Sequence, residues 1–77
     1  MKYYFTINST SKNIFEIPDS FTKGRLQYFD VNYKEWNETS NILTKDEIDE
    51  LVQLQQLEEV SVDWIKDYLY NVLILNQ

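Results

Sequence analysis

Apolar residues recur at alternate positions along the first half of the chain and at every third or fourth position along the second, so two kinds of element are expected in succession. Over residues 2–7 (KYYFTI), Tyr3, Phe5 and Ile7 fall on one side and Tyr4 and Thr6 on the other. The stretch is rich in aromatic and β-branched residues and predicts a strand. The polar run over 8–13 predicts a turn or hairpin loop. Phe15 and Ile17 then alternate with Glu16 until Pro18, Asp19 and Ser20 stop the ladder, because proline has no amide hydrogen to give a neighbouring strand. These two strands form a first hairpin. After Gly24, Leu26 and Tyr28 keep one phase and Phe29, Val31 and Tyr33 the other. That slip predicts a bulge, or a third strand buried on both faces near its middle. Residues 33–36 either continue it or turn back as a short fourth strand.

The period changes after residue 43. In TKDEIDELVQLQQL, Ile48, Leu51, Val52 and Gln55 share one helical stripe, with Asp46, Asp49, Glu50 and Gln53 opposite. Thr44 followed by Glu47 is a capping box, so a helix is expected over 44–57. A second helix is expected over 61–75, capped by Ser61. Val62, Trp64, Ile65, Tyr68, Leu69, Val72, Leu73 and Leu75 cover about half its circumference. The rival reading of EVSVDW is a strand, because Val60 and Val62 alternate with Ser61 and Asp63. The short connection between the helices predicts an antiparallel or sharply angled pair. The expected architecture is a single α+β domain over 1–77, with residues 1–38 mainly strands: a small antiparallel sheet of about three strands, followed by two helices packed on one face.

Composition supports a folded core. A chain this short buries only about 60% of its unfolded surface and needs large side chains to do so. Here six Tyr, four Phe and two Trp make up 16% of the residues. Cysteine and histidine are both absent, which removes disulfides, thiolate chemistry, the commonest general base and the commonest transition-metal ligand. No apolar run reaches the length of a signal peptide or of the roughly 20 residues a membrane span needs, so a cytoplasmic protein is expected. Seven asparagines with no alanine suit an AT-rich coding sequence, of which low-GC bacteria and their phages are one source, and so a bacterial host.

Charge sharpens the picture. Residues 1–38 hold five basic and five acidic groups, whereas residues 39–77 hold Lys45 and Lys66 against eight carboxylates, so the whole net charge of −6 lies in the second half. Phosphate neutralisation requires Lys and Arg, so direct binding of nucleic acid by that half is disfavoured. The stretch LTKDEIDEL lacks the glycine and the alternating oxygen ligands of a calcium loop and is helical instead. Paired carboxylates acting as acid and base require a cleft, the serines have no histidine to activate them, and Lys66 is expected to pair with Asp63 and Asp67. No enzymatic activity, cofactor or metal is expected.

Asp46 and Glu47 sit in a first helical turn, where the helix dipole favours negative charge by about 0.3 to 1 kcal/mol. The dipole gives no such support to Asp49, Glu50, Glu58, Glu59 and Asp67, and Asp63 gains it only from the second helix. Displayed along two neighbouring helices, these carboxylates suit a basic protein surface, competing with phosphates for Lys and Arg. Tyr33, Trp36 and Tyr70 are the expected aromatic anchors, since Tyr and Trp dominate interfaces; Tyr3, Phe5, Tyr28, Phe29 and Trp64 are expected in the core. The predicted partner-binding set is thus Asp46, Asp49, Glu50, Glu58, Glu59, Asp63, Asp67, Tyr33, Trp36 and Tyr70. In size, charge and composition the chain resembles the small acidic inhibitors that phages direct at host nucleases, DNA mimics and anti-CRISPR proteins among them; no motif is shared and no residue is carried over. Two other readings stand beside it: a structural module forming a homodimer through the apolar face of its last helix, and an immunity protein against a basic toxin.

Overall fold

The structure, a computed structural model, describes residues 1–7, 10 and 12–75. The first hairpin forms as expected from β1 (Lys2–Thr6) and β2 (Asn13–Ile17), which pair antiparallel with Tyr3 opposite Glu16 and Phe5 opposite Ile14. Residues 8, 9 and 11 of the predicted loop lie outside the described residues. A two-stranded ladder, β3 (Lys23–Gly24) with β6 (Leu43–Thr44), ties the middle of the chain together. The predicted third strand is β4 (Gln27–Asp30), and the chain then turns back as β5 (Glu35–Glu38). Asp30 makes that turn: its Oδ1 accepts from the backbone N–H groups of Asn32 and Tyr33, at 2.9 and 3.3 Å, and Lys34 takes up a left-handed φ of 57°. The phase slip between Tyr28 and Phe29 is not a bulge. Phe29 is buried on one face and Tyr28 packs against Phe15 on the other.

Helix α1 (Lys45–Gln53) starts at the predicted cap but ends four residues before Leu57. It closes in a Schellman motif: Gln56 N–H donates to Leu51 O at 3.0 Å and Gln55 N–H to Val52 O at 3.1 Å, with Gln55 left-handed at φ 58°. The reversal releases Leu57–Val60 as a strand, β7, against β1. Ser61 then caps α2 (Val62–Tyr70), which runs into a π-helical turn over Asn71–Leu75. The strand and helix readings of EVSVDW therefore divide at Ser61. Among the described residues no helix is long and apolar enough to cross a membrane.

The main sheet is fully antiparallel, in the order β5-β4-β2-β1-β7, so it has five strands and not about three. The helices do not share a face of it. Tyr4, Ile17 and Leu57 form one core with Ile48 of α1, joined by Leu26, Phe15, Leu51 and Val52. Ile14 and Phe29 form another with Ile65 of α2, joined by Tyr3, Phe5, Val60, Tyr68 and Leu69. The cause is visible in KYYFTI and NIFEI, where each phase of each strand carries at least one large apolar or aromatic residue, so both faces need a cover. The result is a helix–sheet–helix sandwich, and the expected side-by-side pair of helices is replaced by two helices with the sheet between them.

Candidate functional site

On α1, the capping box closes in both directions: Thr44 Oγ1 accepts from Glu47 N–H and Glu47 Oε1 accepts from Thr44 N–H, each at 3.1 Å. Glu47 is thereby a structural residue. Asp49 pairs with Lys45 one turn earlier, and that hydrogen bond holds the Lys45 ammonium above the usual lysine range. Asp46 and Glu50 stand exposed with no ion pair among the described residues.

β7 is an outer strand of the sheet. Glu58 pairs with Phe5 and Glu59 with Tyr4, so the two carboxylates point to opposite faces. The bond from Ile7 N–H to Gln56 O, 3.0 Å, fixes the ladder's phase. Glu58 exchanges backbone hydrogen bonds with Phe5, while the N–H and C=O of Leu57 and Glu59 are directed to the outer edge. Charge on such an edge discourages pairing with other chains, which gives both glutamates a structural role that a connecting loop would not have.

On α2, Ser61 Oγ accepts from Trp64 N–H at 3.1 Å, and Asp63 sits in the favourable first turn. The expected pairing of Lys66 with Asp63 or Asp67 does not form within 4 Å. The predicted carboxylates therefore fall into two groups, Asp46, Asp49, Glu50 and Glu59 on the α1 side of the sheet and Glu58, Asp63 and Asp67 on the α2 side. Glu58 and Glu59 stand on the two faces of the β7 edge itself and the others on the helices that cover each face, so the set does not make one flat surface.

The expected aromatic anchors lie elsewhere. Tyr33, 77% exposed, is in the β4–β5 turn, and Trp36, 43% exposed, is on β5, packed edge-on against Phe29 at 5.4 Å. β5 is the opposite outer strand, four strand spacings or roughly 19 Å from β7. Tyr70, 55% exposed, is at the end of α2. The aromatic residue beside the acids is Trp64, which the helical pattern assigned to the core. It is 36% exposed, stacked on Tyr68 at 4.8 Å and 13° and tilted against Phe5 at 5.2 Å. Its signal was its place on the helix, with Ile65 on the buried side and Asp63 and Asp67 on the other.

Two cavities lie on the α1 side. One of about 210 Å³ is walled by Phe15, Leu26, Leu43, Ile48, Leu51 and Leu57, and one of about 300 Å³ by Asn13, Tyr28, Thr39, Ser40 and Asn41 with Phe15 and Leu43. Among the described residues, neither is lined by a carboxylate or a cation. Among the described residues no three acidic groups converge as metal ligands would. No protein-family model, curated protein or solved structure matches the chain.

Proposed function

We propose that this is a small non-enzymatic acidic protein that binds and blocks a basic protein surface, of the kind with which a nucleic-acid-processing enzyme holds phosphates, acting as a phage or mobile-element inhibitor in a bacterial host. The observation that carries the reading is that Glu50, Glu58, Glu59, Asp63 and Asp67 form no ion pair within 4 Å among the described residues, while Asp46 only shares the field of Lys45, which is bonded to Asp49. Carboxylates left unpaired on a rigid frame keep their full attraction for Lys and Arg and steer a cationic partner at long range. Because the carboxylates lie on both sides of the sheet, with Glu58 and Glu59 on opposite faces of its β7 edge, the fitting partner is a cleft or channel that takes in that edge, as a channel takes in a nucleic-acid strand. An immunity protein facing a basic toxin would use the same contacts. Self-association through the last helix has less to work with, since Ile65, Tyr68, Leu69 and Leu73 already pack on the sheet.

Affinity capture from a bacterial lysate tests the reading, with the wild-type chain compared against a Glu50→Gln, Glu58→Gln, Asp63→Asn, Asp67→Asn variant. A basic protein retained by the wild type, lost from the variant, and eluted as salt rises well above about 0.1 M, where the Debye length is about 10 Å, is the expected result. Capture indifferent to both the substitutions and the salt would overturn it.

A further inference from the structure

Trp64 keeps about a third of its surface open although it is held on two sides: Tyr68 stacks on it and Phe5 meets it at 59°. Phe5 also meets Tyr68 at 5.3 Å, so the three rings lock one another and the indole is a fixed surface. Next to Trp64 and Tyr68 on the helix, the adjoining strip carries Asp63 and Asp67, one residue before and three after the tryptophan. On the sheet side, Phe5 has Glu58 directly across from it on the same face, in the outer strand. The open part of the indole thus lies between a carboxylate-bearing strip of helix and a carboxylate-bearing strand. Lys66 is two residues on, about 200° round the helix, and does not cover it.

An aromatic face attracts cations through its quadrupole, tryptophan most strongly. A guanidinium adds planar stacking and a fork of donors that matches flanking carboxylates, which an ammonium does not. An anionic partner would be repelled, and an apolar one would desolvate three carboxylates without compensation. We infer that Trp64 is the seat of an arginine side chain from a basic partner protein, with the guanidinium on the open part of the indole between Glu58 and the Asp63–Asp67 strip. This rests on the proposed binding of a basic protein and adds the residue that anchors it.

The test uses the full chain carrying Trp36→Phe, so that emission reports Trp64 alone, titrated at low salt with nona-arginine and nona-lysine peptides. A saturable change in Trp64 emission is expected, with nona-arginine the tighter ligand. By calorimetry, Trp64→Leu should weaken binding by about 2- to 30-fold. Asp67→Asn and Glu58→Gln should each weaken it more than Glu50→Gln, which removes the same charge from the other side of the sheet. Trp64→Phe keeps a ring in the stack, so a partial loss of affinity with an unchanged circular dichroism spectrum separates the contact from the fold. Binding with Trp64 emission unmoved and both Trp64 variants equal to wild type would overturn the anchor and leave the basic-partner reading standing. No binding of either peptide would remove that reading and the anchor with it.

Discussion

Thr44 and Ser61 occupy the same position at the head of their helices but are differently supported. Thr44 receives a reciprocal bond from Glu47, whereas the residue three places after Ser61 is Trp64, which has no side-chain acceptor to return. Removing a cap hydroxyl typically costs about 1 kcal/mol, and in a box it also frees the partner's side chain. Thr44→Ala should therefore destabilise the protein by about 1 to 2 kcal/mol and Ser61→Ala by less, as the shift in urea midpoint will show; Glu47→Gln, which preserves the box, should come close to neutral. Both caps were legible in the sequence, because capping depends on a local spacing of side chains. The exposure of Trp64 was not. Its helical position allows either a buried or a boundary ring, and only the placement of β1 and β7 beside it decides.

The element least legible was β7. The run LVQLQQL holds no glycine or proline to stop the helix, and glutamine gives no sign that Gln55 will turn left-handed, as a glycine would have done. What decides is tertiary: β1 has an open side, and four residues in extended conformation cover it while Leu57 drops into the α1 core. β1, β2 and the start of both helices were read correctly because their periodicity is their own, whereas β5 depended on the turn made by Asp30. The register of β7 gives a sharp expectation. Glu58 donates its N–H to the ladder and Glu59 points its N–H outward, so Glu58→Pro should cost about 3 kcal/mol or more and Glu59→Pro far less, both by urea denaturation. Equal costs would mean that the ladder phase set by Ile7 and Gln56 is wrong.

At the scale of the whole molecule, the sequence showed that the excess charge belongs to the second half but not where that half would sit. Charge counts have no direction; the direction comes from the apolar residues on both phases of β1 and β2, which send α1 and α2 to opposite faces. Two triple variants exploit this. Asp46→Asn with Glu50→Gln and Glu59→Gln strips the α1 side, and Glu58→Gln with Asp63→Asn and Asp67→Asn strips the α2 side. Each removes three negative charges from a total of −6, so any difference between them reports position and not net charge. Against the captured partner, a cleft that encloses the β7 edge should lose affinity to both triples by similar factors, with the salt dependence flattened alike in calorimetric titrations. A flat partner would respond to one triple alone. Loss confined to the α2 side would narrow the contact to the face that holds Trp64, whereas loss confined to the α1 side would separate binding from the tryptophan altogether.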